Sequence, residues 1–524
     1  MVNLSNRIWY FLAFLNAIPL LVLNQYFISI DGPVHIYNAV LIKNLLFHNT
    51  GALHNVFTLN AFPVPYWIEY FMLIVLSSVM KMVVAEKVLM FLYLFFLPFT
   101  LLLIVKRNHK TIPFHYVLVF PFCYSFLFLL GFYNFSIAIC FLFLSVDTWY
   151  RIRIDKTQQK RFGYILLYFL LNVIYFSHVV IFIFTLITLF ILELLLELIT
   201  ENNHSVLQKA GSILINMFRI SAGAIPVIIF TFLFFLRNKA VDYFTIPTIK
   251  LLENLKTIRP LIIYGIPSEW KYTRLLFYVI VAITLSVIIS RFKQWRNIPG
   301  RTFRNFFVIN DVWIVLSTFI LVLYFVLPDI AWSNVRLGEL FFIFFIVWLF
   351  THNIPKWLGI ICFFICIYSS YNLANIRENV FKSLNEVAVE YNNLSASIED
   401  NKVVLPIVLP GSNWLTMHFS NYLSCEKPRI ILENQECTYG FFPVKWNDEQ
   451  IPNYKLGSIT NRETCVRWRS NKKNREYPID YVLTDGDIMQ NKDSCYDLIR
   501  KELLLHYHTV KSIGNLRLFA INLR

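Results

Sequence analysis

Ser29-Ile30-Asp31-Gly32-Pro33-Val34-His35-Ile36-Tyr37-Asn38-Ala39 begins where the first long apolar run, residues 9–28, gives out. A helix needs about 20 apolar residues to cross a bilayer core. An acid at the mouth of such a helix sits at the membrane–water boundary, beside hydrocarbon yet within reach of a polar substrate. Gly32-Pro33 breaks the helix axis, and Pro33 suits the first turn of a new helix because the N–H it lacks has no helical partner there. The new segment, residues 33–47, reads as amphipathic. Val34, Leu41, Ile42, Leu45 and Leu46 recur on one side, with His35 and Lys43 away from it. Such a helix is expected to lie on the membrane surface. Asp31 itself reads either as a plain helix cap or as a reactive group.

Composition decides the class. Of 524 residues, 57% are hydrophobic and only 15% charged, against about 25% charged in an ordinary soluble chain. This is the composition of a polytopic membrane protein. The first run has no small-residue cleavage pattern after it, so it reads as a retained helix. The net charge of +15 does not point to nucleic acid, because the basic residues cluster in short loops between apolar runs, where they encode orientation.

Those clusters are Arg7; Lys106, Arg107 and Lys110; Arg151, Arg153, Lys156, Lys160 and Arg161; and Arg291, Lys293, Arg296, Arg301 and Arg304. Placing all four on the cytoplasmic side requires an even number of crossings between each pair. Residues 63–81 are therefore read as a partly immersed element of the first outer loop. The expected fold is mainly α. It is a transmembrane helical bundle of about eleven spans over residues 1–373, with a first outer loop at 29–85 and a C-terminal soluble α/β domain at 374–524. The N-terminus is expected in the cytoplasm and the tail domain outside, with a bacterial inner membrane as the setting.

In the tail, residues 403–409, 429–432, 480–484, 508–512 and 516–521 read as strands, and 414–423 and 496–505 as helices, giving an at least partly parallel sheet. Cys123, Cys140, Cys362 and Cys366 lie inside apolar helices and read as packing residues. The other four, Cys425, Cys437, Cys465 and Cys495, all fall in the tail, where an even count fits two disulfides in an oxidising compartment. Their spacing does not suit a metal.

On this topology Asp31, His35, Tyr37, Asn134, His178, Asp329, Arg336 and Glu339 share the outer boundary, and Glu69 lies in the partly immersed segment. Ionisable groups at membrane depth are costly, so each is a candidate for function. Each also has a plainer reading. His178 can be a satisfied turn residue, Asn134 a helix cap and Arg336 a helix-end anchor, while Glu339 is spaced to pair with Arg336. A surface carboxylate can serve as general base toward a hydroxyl or amine, and a guanidinium fork suits a phosphate. No phosphate-binding glycine loop or Ser-His-Asp pattern competes with them.

Asp31-Gly32-Pro33-Val34-His35-Ile36-Tyr37 resembles the Asp-x-x-x-His-x-Tyr pattern that opens the first outer loop in bacterial members of the GT-C superfamily of membrane glycosyltransferases. Gly131-Phe132-Tyr133-Asn134-Phe135 is similar to a turn of the same group, as are residues 433–446 and Asp480-Tyr481-Val482-Leu483. The resemblance implies a polyprenyl-phosphate-linked sugar as donor, a glycan, lipid or protein as acceptor, and inverting transfer. Asp31 then takes the place of the catalytic acid, with His35 beside it. Tyr37, Asn38, Glu69, Asn134, His178, Asp329, Arg336 and Glu339 are expected around the substrate. Many members pair two acids in the first loop and carry another in the second. Gly32 and Asn134 stand there instead, which favours a metal-independent reaction with no cofactor. A transporter or flippase for a lipid-linked saccharide, or a membrane scaffold, would use the same surface groups without chemistry.

Overall fold

The computed structural model describes residues 4–47, 52–155, 160–199, 205–238, 243–297, 308–409, 413–447 and 479–522. Lys156, Arg301, Arg304 and Cys465 lie outside the described residues. The chain divides into two compact units, each discontinuous in sequence. One comprises Met1–Pro19 and Phe91–Asn379, the other Leu20–Met90 and Val380–Arg524. This differs from the division expected near residue 373. The first-loop segment, placed by sequence with the membrane module, belongs to the same unit as the tail.

The first unit is helical and carries the membrane character. Among the described residues, eight helices are long and apolar enough to cross a bilayer: Met82–Lys106, Tyr133–Arg153, Val179–Ile199, Leu207–Arg237, Pro267–Arg296, Ile309–Val326, Ser333–Phe350 and Lys356–Ser395. The first and last of these run on into the second unit. Three other expected spans fall outside this set: Leu4–Val22 is one helix, Phe114–Leu130 is assembled from three short helical pieces, and Lys160–Ser177 is a helix of 18 residues. Residues of two basic clusters share an acid in this unit. Arg107 Nη2 and Arg151 Nε both reach Asp147, at 2.7 and 2.8 Å. Arg291 pairs with Asp311, and Asn310 donates to Asn108 at 2.6 Å.

The second unit is built on a five-stranded sheet and a two-stranded ribbon. In chain order the strands are β1 (Phe57–Leu59), β2 (Val403–Val408), β3 (Ile430–Ile431), β4 (Val444–Trp446), β5 (Tyr481–Asp485), β6 (Tyr507–Ile513) and β7 (Leu516–Ile521). The sheet order is β3-β2-β5-β7-β6. β2 runs parallel to both neighbours, and its first five residues are buried. A parallel strand covered on both faces needs such a continuous apolar run, and Val403-Val404-Leu405-Pro406-Ile407-Val408 supplies one. β7 and β6 close the sheet antiparallel. The ribbon pairs β1 with β4 antiparallel, with the Phe57 and Trp446 rings stacked 4.6 Å apart. No local pattern in residues 57–59 or 444–446 marks that pairing.

Two expectations are corrected here. The Gly32–Phe47 helix is not a surface helix: residues 32–42 are buried on every side. The side taken to be solvated is covered by the Ile68–Leu76 helix and by the 3-10 turn Phe419–Ser424, nearly 400 residues further along the chain. The segment 63–81 does contain a helix too short to span, at nine residues, with Glu69 and Tyr70 turned inward and Phe71 and Val75 exposed. Finally, Cys425 and Cys437 are buried free thiols, so the expected pair of tail disulfides does not form from these four; Cys495 is disulfide-bonded.

Candidate functional site

Asp31 directly precedes the Gly32–Phe47 helix. The hydroxyl of Ser29 accepts from the Gly32 N–H at 3.0 Å, and the backbone carbonyl of Asp31 accepts from His35 N–H at 3.1 Å. The Asp31 side chain, 25% exposed, has Oδ1 3.7 Å from Nε2 of the buried His418. The other ring nitrogen of His418, Nδ1, lies 2.5 Å from Oε1 of Glu433. Ser420 Oγ donates to Glu433 Oε2 at 2.8 Å, and so does the Asn421 amide. The result is a carboxylate–imidazole–carboxylate row running from the surface into the core of the unit.

A second row lies beside it. Tyr70 O–H and the Asn38 amide both donate to Glu436 Oε2, at 2.8 and 2.5 Å. His35 Nδ1 is 3.2 Å from Tyr70 Oη, 3.3 Å from Glu69 Oε1 and 3.5 Å from Glu436 Oε1. Asn38 is itself held by Asn434, whose amide donates to its Oδ1 at 2.6 Å. Of the expected site residues, Asp31, His35, Asn38 and Glu69 are therefore brought together with His418, Glu433 and Glu436.

Tyr37 is not part of this group. Its hydroxyl donates to the Arg429 carbonyl at 2.7 Å and accepts from the Ile431 N–H at 3.0 Å. It ties the helix to β3. Tyr37→Phe strands two buried backbone groups and should lower stability by about 1–3 kcal/mol while leaving the KM of any reaction unchanged. Thermal unfolding beside substrate titration checks both; a raised KM with intact stability returns Tyr37 to the site.

Burial pushes the Glu436 carboxyl up to about 8, aided by Asp31 and opposed by Tyr70, His418 and Asn38. Burial works against the charged form of His418, but Glu433 foremost, with Asp31 and Glu436, raises it to about 9. Both groups hold protons more tightly folded than unfolded, from ordinary values of 4.5 and 6.5. Their stabilisation is complete below those values and is lost as the pH climbs through about 8 and about 9. The unfolding midpoint should fall between pH 5 and pH 9. A flat or rising midpoint in scanning fluorimetry contradicts this protonation pattern.

The remaining expected residues belong to the other unit. Gly131, at φ +116°, ends the Phe126–Leu130 helix in the left-handed region that glycine adopts without strain, and reverses the chain into Tyr133–Arg153. Arg336 lies over the Phe132 ring of that turn, 4.7 Å from its centroid. His178 meets the Phe135 ring edge-on at 5.2 Å, and Asn134 is buried in the first helical turn. Glu339 is wholly buried. Asp329 Oδ1 accepts from Ser333 Oγ and from the Asn334 N–H, both at 3.1 Å, so it secures the start of the Ser333–Phe350 helix.

Sequence reasoning missed His418, Glu433 and Glu436 as site residues. Glu433 and Glu436 fall within residues 433–446, whose only signal was resemblance, and nothing local marks His418. Among the described residues, no group of three or more His, Cys, Asp or Glu side chains is placed to hold a metal ion. Compared with known proteins, the chain matches no protein-family model, no curated protein and no solved structure.

Proposed function

We infer that the chain is an integral membrane glycosyltransferase moving a sugar from a polyprenyl-phosphate-linked donor to an acceptor hydroxyl at the outer face of the membrane. The observation that carries this reading is the Asp31 carboxylate, partly exposed at a helix mouth and backed by His418. In the reaction, the acceptor oxygen bonds to the anomeric carbon as its proton passes to Asp31. The bond from that carbon to the phosphate oxygen breaks, and the leaving polyprenyl phosphate keeps the electron pair. His35 orders the surrounding acids. The finer topology belongs to the same proposal. It comprises about eleven crossings, the basic clusters in the cytoplasm and the tail outside, in a bacterial inner membrane.

The test is a transfer assay on purified protein with a panel of radiolabelled polyprenyl-phosphate sugars and membrane-extract acceptors. Label that moves to an acceptor only when Asp31 is intact supports both the enzyme class and the base. Label accumulating across proteoliposomes without transfer favours a flippase.

A further inference from the structure

We propose that His418, clamped by Glu433, is the positioning residue for Asp31, fixing the carboxylate at the helix mouth and keeping it anionic. This rests on the assignment of Asp31 as the base. The geometry carries the claim. One ring nitrogen of His418 lies 2.5 Å from Glu433, and the other points to Asp31 at 3.7 Å. The ring cannot rotate freely, because Glu433 is anchored by Ser420 and Asn421 from the turn that directly follows His418. Both His418 and Glu433 are almost wholly buried, so Glu433 holds the imidazole in its charged form, and that positive charge is the one facing Asp31. A histidine serving packing alone has no need of a carboxylate on each nitrogen, and burying that charge is costly unless both partners compensate it. Glu436 is the third acid facing this imidazole, and it is engaged by Tyr70, Asn38 and His35. Its hydrogen bonds hold it in the neighbouring row, leaving Asp31 as the acid on Nε2. Asp31 and His418 thus reach one another from opposite ends of the chain, so the tail segment completes the base rather than forming an appendage.

The experiment measures the protonation of Asp31 directly on the full-length protein in detergent. Carbodiimide coupling to an amine modifies protonated carboxyls, and peptide mass spectrometry gives the modified fraction of Asp31 against pH. The pH–rate profile of transfer is recorded beside it. In His418→Gln the Asp31 midpoint should rise by about one pH unit, the size expected from losing an opposite charge within 4–6 Å. The acid limb of the profile should move with it. Glu433→Gln, which keeps the imidazole but removes its clamp, should shift the midpoint in the same direction by less. It is the variant to read if His418→Gln does not elute as a monodisperse folded species. An Asp31 midpoint unchanged in a folded variant overturns the proposal and makes His418 a structural residue. A shifted midpoint with transfer unaltered at every pH supports the positioning and overturns Asp31 as the base.

Discussion

Replacing Asp31 with Asn is expected to slow sugar transfer by about 10²- to 10⁴-fold, the span a positioned general base contributes, with the protein still folded. Asn keeps the shape of the side chain, and the Ser29 Oγ that takes the Gly32 N–H is untouched. The backbone carbonyl that accepts from His35 is also untouched. What the amide loses is basicity and charge. His418 retains Glu433 as a partner, so the buried ion pair survives. The loss should appear in kcat, since proton transfer belongs to the chemical step, with KM for the donor little changed. Transfer retained within a few-fold of the parent would remove Asp31 from the reaction and direct attention to the buried acids Glu69 and Glu436.

Arg429→Ala should destabilise the second unit by about 3–5 kcal/mol, the cost of breaking a buried, fully engaged charged group. The guanidinium is nearly inaccessible and gathers loose carbonyl ends. It donates to Ser395 and Ile398 at 2.8 and 2.7 Å, to Glu399 at 3.3 Å, and to Leu423. These are the carbonyls just past the Lys356–Ser395 helix and at the Phe419–Ser424 turn, which lack helical partners by construction of any helix end. Its own carbonyl accepts from Tyr37, so one residue holds helix, turn and strand together. Lys cannot substitute, because a single ammonium does not reproduce the planar fork. Urea unfolding followed by tail-domain proteolysis should show a lower midpoint in both Arg429→Ala and Arg429→Lys; parental resistance in Arg429→Lys contradicts the fork's role.

The elements that sequence revealed are those whose signal is local. β2 announced itself as an uninterrupted apolar run, β7 and the Asp497–His506 helix by their periodicity, and Gly131 by its place between apolar runs. The Gly32–Phe47 helix shows where locality fails. Its stripe of Val34, Leu41, Ile42, Leu45 and Leu46 was visible, but His35 looked solvated because its partners Glu69, Tyr70 and Glu436 are remote in sequence. A polar residue satisfied by a distant polar residue looks the same in sequence as one satisfied by water. The same blindness hid His418 and led Cys425 and Cys437 to be paired by count, although burial among apolar neighbours suffices to explain them.

The split of the second unit also has a consequence in time. Leu20–Met90 emerges early from the ribosome and Val380–Arg524 follows only after about 290 intervening residues. At roughly 5–20 residues per second, the Gly32–Phe47 helix waits on the order of 15 to 60 s for the segment that buries its polar side. Through that interval Asn38 and Tyr37, whose partners Asn434, Glu436, Arg429 and Ile431 lie in the later segment, need shelter from membrane chaperones or from water. Ribosomes stalled before residue 380 should therefore display this helix to proteases that no longer reach it once synthesis finishes.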